Sequence, residues 1–219
     1  MMVPDAAFKI RKATQADLEG LVDLHCVSFR PEDHVPMMLG RNYVRAAYRW
    51  KVCSRESYVL LAEAGGKIVG LVAVCDRSFS LPMFKACFAE FLRSLAKKPS
   101  LFLEKTLWQR LLRRPEGLDK RGDFISGYPG IAQMIIGAVD SGFRGKGVFP
   151  ALIDATKEAS RFRGSRAIRA GVYKSNASSR KTFIKGEWSE VPELETYDTV
   201  FYMAYLDPGL PKELEMGGR

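Results

Sequence analysis

The stretch that decides the fold is VDSGFRGKGVFPALIDA, residues 139–155. It begins at the end of an apolar strand, AQMIIGAV (132–139), and passes through a basic, glycine-rich turn into an apolar helix over residues 148–163. A nearly continuous apolar run of this kind is typical of a central strand that is buried on both faces. The stretch therefore predicts a strand, a tight turn and a helix that packs back against the sheet.

The turn FRGKGV can hold a phosphate group, because it places several backbone N–H groups at the start of a helix. Those groups have no partner inside the helix, and the helix dipole adds positive potential. Glycine has no Cβ atom, so a phosphate can approach the backbone closely at Gly145 and Gly147. Arg144 and Lys146 add positive charge. The turn matches neither the Walker loop nor GxGxxG, and a tight connection with basic decoration is the alternative interpretation.

The N-terminal half predicts a strand, helices and a hairpin. FKIRKA (8–13) is a strand, and a capping box formed by Thr14 and Asp17 opens the first helix. A polar loop, RPEDHVP (30–36), separates this helix from a second one in MMLGRNYVRAAYRWKV. In SYVLLAEAGGKIVGLVAVCDR (57–77), two apolar runs flank a Gly-Gly turn, which is a hairpin signal.

The C-terminal half predicts an alternation of strands and helices after an insertion of two helices, 78–121. A strand in SRAIRAGVY, a short helix, Ala177–Lys185, and a last strand in ETYDTVFYMAYLD follow the glycine turn. The fold class is therefore α+β, or mixed α/β: a twisted, mostly antiparallel mixed sheet with helices on both faces and a helical insertion before the fourth strand. We expect a single domain over residues 1–207 and a disordered tail, 208–219.

Composition narrows the class of protein. No apolar run reaches the roughly 18 to 20 residues that span a bilayer, and MMVPDAAFKIRKA has no apolar signal core. These features predict a cytoplasmic protein without stable membrane insertion. The four cysteines fall singly and His25 and His34 are the only histidines, so we expect no metal site.

The formal net charge of +9 is concentrated in the insertion, because residues 78–121 contain ten Lys and Arg residues but only four Asp and Glu residues. This basic segment raises the hypothesis of a nucleic-acid partner. The sequence has no interleaved aromatic RNA motif, so nucleic acid is not the expected partner. The insertion can instead be a lid over an acceptor, a homodimer surface, a peripheral membrane contact or a cover over the open edge of the sheet.

AVDSGFRGKGV resembles the coenzyme A signature of the GNAT family of N-acetyltransferases, R/Q-x-x-G-x-G/A. The matching positions are Arg144, Gly147 and, at the last position of the pattern, Phe149. One strand later, YKSNASSRKTFIKGEW is similar to the family's second feature, in which an asparagine opens a short helix that carries an aromatic residue. Asn176 and Phe183 are in register with that feature. The resemblance covers most of the chain except the insertion.

The resemblance implies an acetyl-CoA site between two splayed strands, 132–139 and 166–173. Backbone groups of Gly137, Ala138 and Val139 would pair with the pantetheine arm like an added strand. The pyrophosphate would be held by backbone donors of Arg144, Gly145, Lys146, Gly147, Val148 and Phe149. The second feature adds Asn176, Ser179 and Phe183 to the cofactor-binding residues. The acceptor amine would attack the thioester directly, and a strand N–H near Val139 would stabilise the oxyanion.

The chain departs from the family pattern at the proton-transfer positions. Phe183 lies where many relatives carry a tyrosine acid, and Gln133 lies where some carry a glutamate base. We predict Tyr173 as a substitute acid, with Tyr197 and Tyr202 as alternatives. The candidate bases are in the polar loop 30–36: His34, which titrates near neutral pH, Glu32 and Asp33. Phe149 and the following proline also depart from the pattern, and we expect the Phe149 ring to pack on the insertion instead of pointing toward the phosphates.

The resemblance implies a primary amine of a small molecule as the acceptor. The stretch SFRPEDHVPMMLGRNYVRAAYR is similar to bacterial GNAT proteins associated with surface-polysaccharide pathways, which suggests an amino sugar. A protein or peptide amine is an alternative acceptor. A CoA-binding regulatory module that has lost catalysis is the alternative from a different class, because the expected acid and base positions are altered.

Overall fold

A computed structural model of the chain describes residues 8–32, 34–112 and 130–207. Several sequence-based predictions concern residues outside these ranges. They are the candidate base Asp33, the end of the insertion (113–121), the loop 122–129 and the tail 208–219.

Strands and helices alternate through the described ranges largely as predicted. The strands are β1 (Lys9–Lys12), β2 (Ser57–Ala64), β3 (Lys67–Cys75), β4 (Ile131–Val139), β5 (Ala167–Tyr173), β6 (Ser189–Glu190) and β7 (Thr199–Tyr205). The helices are α1 (Leu18–Ser28), α2 (Val35–Leu39), α3 (Arg41–Cys53), α4 (Ser80–Lys97), α5 (Lys105–Leu112), α6 (Val148–Phe162) and α7 (Ala177–Lys185).

Two features of the secondary structure were not predicted. The second N-terminal helix is broken into α2 and α3 at Gly40, whose φ is +93°. This backbone angle lies in the region that favours glycine and interrupts the helical path. The short strand β6 pairs with β7 through Ser189–Met203 and Glu190–Tyr202.

The strands of the described ranges form one mixed sheet in the order β1-β2-β3-β4-β5-β7-β6. The β4–β5 pair is parallel, and the other pairs are antiparallel. This arrangement confirms the predicted mixed, mostly antiparallel sheet. The parallel pair lies at its centre, where the glycine turn and α6 provide the crossover that parallel strands require.

Helices cover both faces of the sheet, as predicted. Helix α6 packs on β2, β3, β4 and β5, and its buried side chains include Leu152 and Ile153. Helices α1 and α3 pack on the opposite face, where Leu21 and Tyr48 meet Leu61 in a second buried cluster. Each strand of the centre therefore contributes alternate side chains to two separate apolar layers.

The insertion forms a third layer on top of α2 and α3. Helix α4 buries Phe91 and Leu95 against Tyr43, whereas Phe88 is about half exposed. The hypothesis that the insertion covers the sheet edge is therefore wrong for its described part, which packs on helices. Its roles as a lid, a dimer surface or a peripheral membrane contact stay predictions.

No helix in the described ranges is long and apolar enough to cross a bilayer. The cytoplasmic location stays a prediction. Within the same ranges, no three or more His, Cys, Asp or Glu side chains come together as a metal-binding group.

Candidate functional site

The central pair of strands separates halfway along its length. Parallel pairing of β4 with β5 runs from Ile131–Ala167 to Met134–Ala170 and ends there. Beyond this point β4 still pairs with β3 as far as Val139, and β5 still pairs with β7 as far as Tyr173. The β4 backbone over residues 135–139 therefore has an edge toward β5 that lacks a strand partner within the described residues. This is the splay that the family resemblance implies.

A β-bulge coincides with the separation. Ala73 of β3 pairs with Ile136, and its neighbour Val74 pairs with Met134, so Ile135 is an extra residue on β4. A bulge bends its strand and re-aims the residues around it. The bulge thus lies where β4 leaves β5, and we interpret it as one cause of the gap between them.

The glycine turn has backbone angles that glycine adopts without strain. Gly145 and Gly147 have φ angles of +76° and +81°, values at which an L side chain is strained. A Cβ atom at either position would meet nothing within 4 Å. The glycines are therefore required for the path of the backbone, and the space beside the turn is open.

The start of the turn is held by Asp140. Its Oδ1 accepts a hydrogen bond from the Gly142 N–H at 2.9 Å, and its Oδ2 lies 2.9 Å from Lys67 Nζ. The hydrogen bond from Lys67 lowers the pKa of this carboxyl group. Asp140 thus couples the end of β4 to the hairpin and leaves the later part of the turn facing outward.

The later part of the turn presents donors suited to an anion. Gly147 is the N-cap of α6, so the first N–H groups of that helix, at Val148 and Phe149, have no intrahelical partner. Pro150 follows and has no N–H of its own. Lys146 is exposed and its Nζ lies 5.0 Å from the centre of the Phe143 ring. The geometry is suited to a phosphate at a helix N-terminus.

The Phe149 ring points into the sheet. A Cβ atom at Gly137 would lie 2.7 Å from Phe149 Cε2, and the ring meets Phe183 edge-on at a centroid distance of 6.0 Å. The expectation that this ring packs on the insertion is therefore wrong. Residue 137 must be small because the ring occupies the volume above it, and the N–H of Phe149 stays at the helix start.

The second motif forms the start of α7. Asn176 caps the helix, with Oδ1 accepting a hydrogen bond from the Ser179 N–H at 3.1 Å. Phe183 is buried between Tyr202 and Trp188, at centroid distances of 5.3 and 4.9 Å. Asn176 therefore has a structural role in ordering the helix, and Phe183 belongs to the core beneath it.

His34 is the N-cap residue of α2 and contacts a buried histidine. His34 Nδ1 lies 3.2 Å from His25 Nε2, and His25 Nδ1 lies 3.0 Å from Tyr48 Oη. Burial, reinforced by the charges of His34 and Lys51, lowers the pKa of His25 to about 2. A neutral His25 therefore orients His34, and sequence reasoning missed this partner. Glu32 is exposed in the preceding turn.

The other predicted catalytic residues lie on the central strands. Gln133 is buried on β4, and Tyr173 is about half exposed at the end of β5. Ile168, Ala170 and Val172 of β5 belong to the core beneath α6. Since strand side chains alternate, Tyr173 and Arg169 are on the opposite face.

Arg169 is the charged residue that sequence reasoning missed. It is opposite Gln133 in the parallel pair and only 7% exposed. Its Nη1 is buried with no hydrogen-bond partner, and its guanidinium lies 5.5 Å from the centre of the Phe201 ring. The available signal was the one arginine of β5, Arg169, which lies in an otherwise apolar strand.

The chain has the GNAT fold. A scan of protein-family models and a search of curated proteins each gave no match, whereas solved structures of GNAT proteins superimpose on almost the whole chain.

Three such structures show the extent of the similarity. The GNAT domain of S. lividans PAT is 15% identical, with a TM-score of 0.57 over 93% of this chain and 99% of its own. A GNAT acetyltransferase from Streptococcus pneumoniae is 16% identical, with a TM-score of 0.55 over 90% and 98%. The ribosomal-protein-S18-alanine N-acetyltransferase from Escherichia coli is 10% identical, with a TM-score of 0.54 over 91% and 94%. At these identities the likeness establishes the fold.

Proposed function

We propose that this protein is an N-acetyltransferase that uses acetyl-CoA and transfers the acetyl group to a primary amine. The observation that carries the proposal is the continuity of two features. The edge of β4 over residues 135–139, which has no strand partner among the described residues, leads through Asp140 directly into the outward-facing glycine turn. A long, anionic cofactor with an amide-containing arm matches this continuous path, because the arm can pair with a strand edge and the phosphates with a helix start.

The residues along this path fit coenzyme A. Gly137, Ala138 and Val139 belong to the part of β4 that has no β5 partner among the described residues, and those of their backbone groups that face β5 would pair with the pantetheine amides. The N–H groups of Gly145, Gly147, Val148 and Phe149 would bind the pyrophosphate, whereas those of Arg144 and Lys146 donate to carbonyl groups within the turn. The side chains of Arg144 and Lys146 would contribute charge. The open space beside Gly145 and Gly147 leaves room for the phosphates.

Acetyl-CoA would supply an acyl group activated as a thioester, and the chain would position the amine and manage its proton. An N–H of β4 near Val139 would stabilise negative charge on the carbonyl oxygen. His34 is the favoured base, because its ring is held by His25; Glu32 is the second candidate. Gln133 would orient a water or the amine, since an amide does not take up a proton.

The departing thiolate would be protonated without Phe183, which has no proton to give and is buried. Tyr173 is the candidate acid because it lies at the end of β5, beyond the point where the strands separate. A thiolate is also a good leaving group, so transfer does not depend strongly on an acid.

The acceptor that we propose is a small-molecule amine, with an amino sugar among the candidates. A protein amine is the alternative, and one of the similar structures is named for acting on a ribosomal-protein alanine. A CoA-binding module without catalysis remains the alternative from a different class.

Release of free thiol from acetyl-CoA across a panel of amines tests the proposal. The panel should contain amino sugars, polyamines, amino acids and peptides. We expect amine-dependent thiol release for at least one class. CoA binding without release on any amine would favour the non-catalytic module, and absence of CoA binding would refute the cofactor site.

A further inference from the structure

Arg169 has a charge that the described structure leaves without a counter-charge. Only 7% of the residue's surface is exposed, and its buried Nη1 atom has no hydrogen-bond partner. No carboxylate of the described residues forms an ion pair with it. Burial alone lowers the pKa of the guanidinium. Removing an unpaired charge from water is costly, so an anionic ligand would stabilise an arginine in this state.

The position of Arg169 connects this charge with the gap between the strands. Arg169 pairs with Gln133, one residue before the last parallel pair, Met134–Ala170. Its side chain is on the face opposite α6, together with Gly171 and Tyr173. The ring of Phe201 packs beside both Arg169 and Gly171. The register therefore places residue 169 one pair before the strands separate, and its guanidinium lies against the Phe201 ring of β7.

We propose that Arg169 binds a carboxylate of the acceptor, so that the substrate is a small amine that also carries a carboxylate. This inference rests on the proposed acetyl transfer and specifies its acceptor. A carboxylate matches the site because a guanidinium offers paired N–H donors in the same plane. A single guanidinium matches a monoanion better than a phosphate dianion.

The backbone register gives the scale of the proposed acceptor. Residue 133, opposite Arg169, precedes the bulge residue by two positions, which corresponds to about 7 Å along a strand. An amine near the bulge and a carboxylate on Arg169 would thus belong to one compact molecule. Amino acids and amino-sugar acids meet this requirement, whereas neutral amino sugars lack the anion.

The test compares amine acceptors that differ only in the anionic group. Glycine, β-alanine and 4-aminobutyrate are each assayed against their carboxamides, with thiol release from acetyl-CoA as the readout. We expect wild-type kcat/KM to favour at least one carboxylate over its amide by about tenfold or more, as for a charge-assisted pair. In Arg169→Met this preference for the carboxylate should be lost, mainly through KM, and Arg169→Lys should retain part of it. Arg166→Met is the matched control, because Arg166 immediately precedes the same strand, is half exposed and pairs with Asp207.

Binding without turnover separates this inference from the proposed function. We expect the same carboxylates to raise the melting temperature of the wild type and not that of Arg169→Met. Without ligand, Arg169→Met should melt no lower than the wild type, since it removes an uncompensated charge. Equal ratios in the wild type and Arg169→Met, or equal thermal shifts, would overturn the carboxylate site even if acetyl transfer occurs. Weaker CoA binding by Arg169→Met would assign the anion to the donor and would also overturn it.

Discussion

The ring of Phe149 occupies the volume that a side chain on Gly137 would fill. A Cβ atom on Gly137 would lie 2.7 Å from Cε2 and 3.3 Å from Cζ of this ring. The first turn of α6 is thereby locked onto the open part of β4. The two residues connect the turn that we propose to bind phosphate with the strand edge that we assign to pantetheine.

The Gly137–Phe149 contact predicts a strong coupling between the two positions. Gly137→Ala should lower the free energy of unfolding by about 1–3 kcal/mol, because it overpacks the contact. In a Phe149→Ala background the same change should cost at least about 1 kcal/mol less. Urea denaturation of the four proteins of this cycle measures both values. Gly142→Ala is the control, since its Cβ would lie 3.4 Å from Asp140 Oδ1, an ordinary contact; additive effects in the cycle would contradict the packing.

Stability should fall below pH 6.5 because of His25. Its pKa is lowered from 6.5 to about 2, first by burial and then by the charges of His34 and Lys51. Below pH 6.5 the unfolded chain therefore binds a proton at this position that the folded chain does not. The free energy of unfolding should decrease by up to about 1.4 kcal/mol per pH unit toward pH 5.

The variant His25→Gln isolates this contribution. Its stability should be lower than that of the wild type at pH 7.5, because the contact with Tyr48 at 3.0 Å is altered. Between pH 6.5 and pH 5, however, its free energy of unfolding should fall less steeply with decreasing pH. The difference in slope should be up to about 1.4 kcal/mol per pH unit, which corresponds to one bound proton. Denaturation curves at several pH values give both slopes, and parallel slopes would show that His25 takes up its proton in the folded state.

Restoring the family tyrosine at position 183 should not restore an acid. Phe183 is 2% exposed and packs on Tyr202 and Trp188, so a hydroxyl added there would be buried. We expect Phe183→Tyr to lower stability by about 1–3 kcal/mol without faster thiol release. Tyr173→Phe is the comparison, because it removes an exposed hydroxyl and should leave stability within about 0.5 kcal/mol. Faster release by Phe183→Tyr would show that position 183 reaches the reacting groups.

The sequence predicts the sheet and the glycine turn well because both depend on local physics. An apolar strand followed by glycines and a helix start allows few backbone paths, and Gly145 and Gly147 adopt the positive φ angles that such a turn requires. The separation of β4 from β5 was implied by resemblance and not by the residues themselves. It depends on which strands pair and on a bulge at Ile135, and both are set by long-range register.

The acceptor side is much less predictable from the sequence. His34 was identified because histidine titrates near neutral pH, yet its partner His25 is nine residues away, and the contact depends on how α2 packs. Arg169 reads as an ordinary strand residue until its burial is known. The prediction that the Phe149 ring packs on the insertion is wrong, because the sequence pattern does not show that the ring lies over residue 137, which has no side chain.

The central claim, that the glycine turn binds CoA, is tested most directly by titrating CoA into Gly147→Ala and Gly164→Ala. The two glycines lie at opposite ends of α6, both have positive φ, at +81° and +83°, and neither has an atom within 4 Å of an added Cβ. Both substitutions should therefore cost about 1–2 kcal/mol of stability. We predict that Gly147→Ala weakens CoA binding by about tenfold or more, a loss of about 1.4 kcal/mol, while Gly164→Ala binds like the wild type. Equal CoA affinity of the two variants would contradict the account.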